Sequence, residues 1–339
     1  MVDQSFEINA RVLTGYHGNA PVIVIPGSVK VIGRAVFKNS TSVTHVILSG
    51  IAMTIEEFAF AYCSALKDVT IQNHLKFIET SAFRDCTCLM QIAFPDSLQT
   101  IGQCAFAGCS GLREIVIPDG VTSIGTAAFK ACTGMERITI GKGVEKCGEQ
   151  AFHGCTRLER IVFPDSVNKI GEGVCKCCTD LRSAVLPNGL EDIRDEAFFG
   201  CARLADLTIP DSVTKIGESA FEDCTSLTHV EIPNGVIKIG NNAFKGCTSL
   251  KSVTIADSVT DIGFGAFENC SALEIIAIPG NVRKIRSCTF KGCVSLSEVT
   301  IHYGLTDVRG LIVLSLRAKC GELRINGDFM MTDADISAL

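Results

Sequence analysis

Apolar side chains return along this chain at a fixed interval of 23 residues. The clearest marker is a position that we call the anchor slot, filled by phenylalanine in all but one of its twelve occurrences; Cys175 is the exception. The spacing runs without insertion or deletion through Phe37, Phe60, Phe83, Phe106, Phe129, Phe152, Phe198, Phe221, Phe244, Phe267 and Phe290. Such strict periodicity predicts a repeat architecture.

Each 23-residue unit carries the same order of apolar positions. A leucine six residues after the anchor precedes two apolar residues that are separated by one, an alternation that predicts a short strand. A proline commonly follows and ends the strand, because its φ is fixed and it lacks an N–H. A second apolar pair then precedes a glycine, which can turn the backbone without a Cβ clash. One unit shows the order as Leu112, Ile115, Ile117, Pro118, Val121, Ile124 and Gly125.

A single unit of this kind cannot bury its own apolar residues, so neighbouring coils must stack to form the core. We therefore predict a repeat solenoid, with short parallel strands on one face and short helical or 3-10 turns and irregular segments elsewhere. Twelve coils at a strand spacing of ~4.8 Å form an array roughly 55–60 Å long. We assign residues 27–309 to the repeats, 1–26 to an N-terminal cap that includes a hairpin, and 310–339 to a C-terminal cap or tail.

Charge and composition narrow the choice of partner and compartment. The 339 residues carry a net charge of −6, which gives no basic footprint for nucleic acid. No stretch of the sequence approaches the ~18 consecutive apolar residues of a membrane span. The first residues lack the basic region and following apolar run of an export signal. Together with 18 cysteines, which indicate a reducing environment, this predicts a cytoplasmic or other intracellular protein. A cell-surface or secreted protein whose signal has been removed is the alternative.

Most of the cysteines occupy one repeat position, three residues after the anchor. In-register side chains about 5 Å apart point in parallel and not at each other, so we expect buried free thiols and no disulfides. The clusters Cys175/Cys177/Cys178 and Cys86/Cys88 leave metal binding or redox chemistry as an alternative. The repeated cysteines are Cys63, Cys86, Cys109, Cys132, Cys155, Cys178, Cys201, Cys224, Cys247, Cys270 and Cys293.

The sequence contains no recognisable catalytic or cofactor motif. It lacks a glycine-lysine phosphate loop, a dinucleotide-binding glycine pattern and a zincin motif. Of its six histidines, His45 and His229 share a repeat position but lie eight repeats apart, and the others lie at different positions. Because nucleophilic catalysis requires a base beside the nucleophile, we expect a protein that is not an enzyme and binds no cofactor.

The outward-facing strand positions of the central repeats form the candidate partner-binding surface. Charges of opposite sign fall opposite each other in neighbouring strands, which predicts the pairs Arg113–Glu136, Glu114–Arg137 and Glu159–Arg182. A solvated ladder that fixes strand register explains this pattern, and so does an interface in which apolar residues are rimmed by charge. The candidate residues are Arg113, Glu114, Val116, Glu136, Arg137, Thr139, Glu159, Arg160, Val162, Arg182 and Val185.

The complete unit resembles a known class of repeat. Residues 108–129 read GCSGLREIVIPDGVTSIGTAAF and residues 246–267 read GCTSLKSVTIADSVTDIGFGAF. This pattern, which covers roughly residues 22–309, resembles the BspA-like (Treponema pallidum-type) leucine-rich repeat family. The resemblance implies a leucine-rich-repeat β-solenoid arc with a strand-lined concave face and a role in protein binding or adhesion.

These observations predict a non-enzymatic scaffold that presents a concave repeat surface to another protein, alone or as a subunit of a larger assembly. The alternative is a cell-surface adhesin of a bacterium or protist. A third hypothesis, built on the cysteines alone, is a thiol redox or metal-binding protein.

Overall fold

The computed structural model describes residues 5–72, 74–301 and 324–326. The chain forms two compact units, Met1–Leu181 and Arg182–Leu339, which are described in turn. Within the described residues the regular secondary structure consists of β-strands joined by turns. Apart from residues 324–326, the predicted C-terminal cap lies outside the described residues.

The first unit contains sixteen short strands. After the N-terminal hairpin, strands of two residues alternate along the chain with strands of up to four residues. The strands are β1 (Phe6–Asn9), β2 (Val12–Tyr16), β3 (Val22–Ile25), β4 (Val31–Ile32), β5 (His45–Leu48), β6 (Thr54–Ile55), β7 (Asp68–Ile71), β8 (Phe77–Ile78), β9 (Gln91–Ile92), β10 (Thr100–Ile101), β11 (Glu114–Val116), β12 (Ser123–Ile124), β13 (Arg137–Thr139), β14 (Lys146–Cys147), β15 (Arg160–Val162) and β16 (Lys169–Ile170).

These strands form parallel sheets along two sides of the coils. One sheet has the order β1-β2-β4-β6-β8-β10-β12-β14-β16, and the other side carries β3-β5-β7-β9 and β11-β13-β15. Paired residues such as Val46 and Val69 lie one 23-residue repeat apart. Each unit is therefore a parallel-strand β-solenoid with the predicted repeat length, and the predicted fold class is confirmed.

The second unit continues the same pattern with eleven strands. Their sheet orders are β17-β19, β18-β20-β22-β24 and β21-β23-β25-β26-β27. The strands are β17 (Ser183–Val185), β18 (Asp192–Ile193), β19 (Asp206–Leu207), β20 (Lys215–Ile216), β21 (His229–Ile232), β22 (Lys238–Ile239), β23 (Ser252–Ile255), β24 (Asp261–Ile262), β25 (Ile275–Ile278), β26 (Glu298–Ile301) and β27 (Arg324–Asn326).

A hairpin closes the beginning of the first unit. Strand β1 pairs antiparallel with β2, and β2 pairs parallel with β4 through Leu13 and Ile32. The rings of Phe6 and Tyr16 have centroids 5.2 Å apart, and Tyr16 lies 5.2 Å from Phe37, the first anchor. The hairpin thus extends both the sheet and the aromatic stack by one layer.

The segment around each anchor consists of turns, so the predicted short helical or 3-10 segments are wrong for the described residues. Residues two before and two after the anchor adopt left-handed backbone angles, as at Phe58 (φ 57°) and Tyr62 (φ 62°) around Phe60. The N–H groups of Phe60 and Tyr62 donate to the carbonyl oxygens of Ala82 and Arg84 in the next coil, at 2.7 Å each. A helix would direct these groups along its own axis; here they join neighbouring coils.

The anchor phenylalanines form the centre of each core. In the first unit, consecutive rings from Phe37 to Phe152 have centroids 4.9–5.7 Å apart and planes within 9° of parallel. In the second unit, the rings from Phe198 to Phe290 are 5.2–6.0 Å apart. Cys175 fills the last anchor slot of the first unit and is fully buried. Burial of these rings provides much of the apolar stabilisation of the stack.

Candidate functional site

Nine of the predicted contact residues lie together on the outward side of β11, β13 and β15. Alternation along each strand buries Ile115 and Ile161 completely, whereas Val116 and Val162 are 55% and 41% exposed. Val116 lies opposite Thr139 in the parallel register. We call this surface the central face; it comprises Arg113, Glu114, Val116, Glu136, Arg137, Thr139, Glu159, Arg160 and Val162.

The charges of the central face pair only in part as predicted. The expected Arg113–Glu136 pair is present with 3.8 Å between Nη1 and Oε1. The Oε1 atom of Glu136 also forms a closer ion pair with Nη2 of Arg157, at 2.8 Å. The sequence analysis did not include Arg157, because this residue lies in the turn before β15 and not in a strand. From that turn its side chain reaches Glu136 in the preceding repeat.

Glu114 and Arg137 are cross-strand neighbours, as predicted, but their side chains form no ion pair with each other. Among the described residues neither belongs to an ion pair. Arg137 also lies opposite Arg160 in the β13–β15 register, and Arg160 likewise has no ion-pair partner within the described part of the chain. Two arginines of like charge therefore stand side by side on the exposed face.

The remaining two candidate residues, Arg182 and Val185, belong to the second unit. Arg182 is exposed and precedes β17, and Val185 is 40% exposed at the end of that strand. Beside them the Oγ of Ser183 donates to Oδ2 of Asp206 at 3.1 Å. The predicted Glu159–Arg182 pair joins residues of different units and stays a prediction.

An open groove of about 530 Å³ lies beside the central face at the ends of β13 and β15. Its lining is chiefly apolar and consists of Ile138, Thr139, Ile140, Lys142, Val162, Pro164, Asp165 and Ser166. Sequence reasoning did not predict this groove, although one signal was available. The corner slot occupied by Pro118 and Pro164 in the adjacent coils holds Gly141 here.

The repeated thiols are buried, as the sequence predicts. Sγ of Cys132 donates to the carbonyl oxygen of Phe106 at 3.1 Å, and Sγ of Cys224 donates to that of Phe198 at 3.3 Å. Burial raises the pKa of both thiols well above the usual value near 9. Because the thiolate is the reactive form, such thiols are poor nucleophiles and poor metal ligands. They act as packing residues that also bind the preceding coil.

The two cysteine clusters do not form a metal site. Cys86, Cys175 and Cys178 are buried, Cys177 is half-buried and Cys88 is exposed. Within the described ranges no three or more His, Cys, Asp or Glu side chains converge in a way that could hold a metal ion. The clusters therefore supply no observation in favour of the metal hypothesis.

Two histidine side chains in the described part of the chain contact neighbouring polar groups as follows. Nδ1 of His229 lies 2.8 Å from Oγ of Ser252, and Nε2 of His17 lies 2.9 Å from Oε1 of Glu7. All four of these residues are exposed to solvent. No helix among the described residues has the length and apolar character needed to cross a membrane.

The repeat geometry and the exposed strand face define a leucine-rich repeat solenoid. The model of the BspA-type leucine-rich repeat region matches residues 15–114, 77–205 and 191–312. These matches extend over most of the chain, which therefore belongs to the BspA-type leucine-rich repeat family.

Solved structures show similar folds. A leucine-rich repeat protein from Bacteroides ovatus is 26% identical, with 97% of each chain covered and a TM-score of 0.62. A leucine-rich cell surface protein from Faecalibacterium prausnitzii is also 26% identical, with 100% of this chain and 96% of that chain covered and a TM-score of 0.58. The comparison with curated proteins finds no match.

Proposed function

We propose that this chain binds another protein through the central face, alone or as a subunit of a larger assembly. The observation that carries the proposal is the exposure of Val116 and Val162 on β11 and β15, beside Arg137 and Arg160, which form no ion pair with any described residue. Apolar residues with a charged rim, and arginine in particular, are typical of protein interfaces. Family membership supports the same class of function, because leucine-rich repeat proteins are generally interaction or surface proteins.

The simpler interpretation is a solvated charge ladder that fixes strand register. Such a ladder gains its small stabilisation from opposite charges in contact. On the central face Glu136 forms ion pairs with Arg113 and Arg157, and Glu114 lies opposite Arg137, but Arg137 and Arg160 also lie opposite each other. Placing like charges opposite one another costs stability, so a register role does not explain them; contact with a partner does.

We infer a non-enzymatic role, as is typical of the family. The buried thiols have a raised pKa, and the contact between His229 and the Ser252 hydroxyl lies on an exposed strand face. These observations support binding over catalysis. They also favour binding over the thiol redox or metal hypothesis.

Capture of a partner by the immobilised chain from an extract of the source organism tests the proposal. Val162→Glu and Arg137→Glu place negative charge on the central face, while Val24→Glu provides a matched control on β3, where Val24 is 54% exposed. We expect all three variants to melt near the wild-type temperature and only the first two to lose the partner. Equal capture by all three variants, or equal loss, contradicts the proposal.

A cell-surface adhesin is the second candidate, favoured by the similarity to the Faecalibacterium prausnitzii cell surface protein. Surface biotinylation of intact source cells, with a cytosolic enzyme as control, separates it from the intracellular scaffold that we favour. Labelling of this chain with the control unlabelled supports the surface candidate. Labelling only after lysis supports the intracellular protein.

A further inference from the structure

We propose that a second copy of this chain binds the central face, so that two copies associate face to face about a two-fold axis. The inference rests on the proposed function and names the partner of the same surface. It is carried by the charges of the central face, three arginines and three glutamates, whose arrangement is complementary to itself.

The six charges lie in two adjacent columns that run along the stack. One column is formed by the residue that precedes each of the strands β11, β13 and β15, and the other by the first residue of each strand. In each of the three repeats the two columns carry opposite charges, and their order reverses after the first repeat. The pairs are Arg113 and Glu114, Glu136 and Arg137, and Glu159 and Arg160.

Four of these charges have no ion-pair partner among the described residues. They are two acids and two bases, so neither sign is in excess. Elsewhere in the protein exposed charges do pair between coils, as Lys245 and Glu222 do at 3.1 Å. The central face thus leaves opposite charges available to a second molecule. The four residues are Glu114, Arg137, Glu159 and Arg160.

A two-fold axis that runs along the stack, between the two columns, brings opposite charges together in every repeat. A rotation of 180° about this axis exchanges the columns and keeps each repeat at its own level. Glu159 of one copy then meets Arg160 of the other copy, and the same contact forms a second time by symmetry. The other two repeats form equivalent contacts, so the charge pattern of one copy fits that of the next.

The direction of the axis follows from the central repeat. A two-fold axis that runs along the strands would place Arg137 of one copy against Arg137 of the other, and like charges in contact are unfavourable. The axis along the stack avoids this contact. Val116 and Val162 lie two residues further along their strands than the second charge column, so they extend the contact surface with apolar groups.

The size of the surface limits the strength of this association. The central face has nine residues, whereas stable interfaces commonly use about 20–30 residues a side. We therefore expect a reversible dimer that forms with rising chain concentration. It should weaken as salt is added, because salt screens exposed charges.

Sedimentation velocity over a series of chain concentrations tests the inference with two charge reversals. Glu159→Arg and Arg160→Glu each place like charges opposite each other in the dimer, and each changes an exposed residue that has no ion pair with a described residue. An equimolar mixture of the two variants again presents opposite charges across the axis. Glu149→Arg, at an exposed position after β14 on the other sheet, is the matched control. Melting temperatures verify that each variant is folded.

We expect the wild type and Glu149→Arg to dimerise equally, and each reversal alone to weaken dimerisation about tenfold or more. The mixture should recover the wild-type association. A wild type that stays monomeric at its highest soluble concentration, reversals that leave dimerisation unchanged, or a mixture that does not recover would each overturn the inference. A monomeric wild type whose capture of a different protein is lost in Val162→Glu overturns this inference alone. The proposed function fails separately, if Val162→Glu leaves capture of the cellular partner unchanged.

Discussion

The thiol of Cys132 donates a hydrogen bond to the backbone carbonyl oxygen of Phe106 in the preceding coil, over 3.1 Å. The same oxygen accepts the N–H of Cys109 at 3.1 Å, so the thiol uses its second lone pair. Equivalent bonds recur in both units, for example from Cys247 to Phe221 at 3.2 Å. The repeated cysteine is thus a small apolar residue that also connects consecutive coils.

Replacing Cys132 by alanine should destabilise the chain. The change removes a buried donor and leaves a small void, which together cost about 1–2 kcal/mol. Cys88→Ala, at an exposed position, is the control and should have little effect. The midpoint of urea denaturation measures both. A Cys132→Ala midpoint that matches the wild type would show that the thiol contributes nothing to the stack.

Thiol labelling should separate the cysteines by burial. In the native chain at pH 8, Cys88 should react first with a maleimide, and the half-buried Cys104, Cys177 and Cys288 should follow. The buried Cys132 should react only after denaturation, since both burial and its raised pKa suppress the thiolate. Peptide mapping by mass spectrometry identifies each site. Rapid native labelling of Cys132 contradicts the buried-thiol account.

Alkaline pH should destabilise the chain through the same thiols. Burial raises the pKa of Cys147 to about 12 and also raises the pKa of other thiols, including Cys132, Cys224 and Cys247. In the unfolded chain a thiol loses its proton near pH 9, so each contribution is complete below that pH and is lost as the pH rises. Each such thiol should reduce the free energy of unfolding by about 1.4 kcal/mol per pH unit above pH 9.

Denaturant unfolding between pH 8 and pH 10.5 measures this slope. Cys147→Val, which removes one titrating group from a buried apolar slot, should make the slope shallower by one thiol. Cys88→Val, at an exposed position, is the control for a cysteine-to-valine substitution outside the core. A slope that is the same in wild type and Cys147→Val would contradict the assignment.

A charge ladder in the second unit should make a measurable contribution to stability. Nζ of Lys245 lies 3.1 Å from Oε1 of Glu222, whose side chain is only 13% exposed. In the same way Glu268 forms an ion pair with Lys291 of the following repeat. Hydrogen bonding to Glu222 raises the pKa of Lys245. A double-mutant cycle with Glu222→Gln and Lys245→Met should give a coupling energy of about 0.5–1 kcal/mol. Additive effects of the two substitutions would show that the pair is not coupled.

The fold was predictable from the sequence because every buried position recurs with one period. The strict spacing of residues such as Phe60 and Phe83 determines the stack, and the apolar alternation around Ile115 determines the strand. The turns were not predicted correctly, because an Ala-Phe segment has no signal for left-handed residues such as Phe58. That conformation is selected by hydrogen bonds between coils, which local sequence does not encode.

The candidate site was predictable only in part. The alternation of buried and outward-facing positions along a strand identified the exposed residues Val116 and Val162, because this alternation depends on the strand alone. It did not identify the diagonal pair between Arg157 and Glu136, which depends on the path of a turn. The groove lined by Ile138 and Val162 depends on how adjacent coils pack against each other, which the strand pattern of a single coil does not reveal.

The central claim is that a partner protein lies against the central face, and photo-crosslinking tests it most directly. A benzoylphenylalanine introduced at Val162 and irradiated in the source cells should yield a covalent adduct with a second protein. The same photo-reactive residue at Val24, which is similarly exposed on β3, should not yield that adduct. A partner crosslinked from Val24 but not from Val162, or no adduct from Val162, would contradict the account.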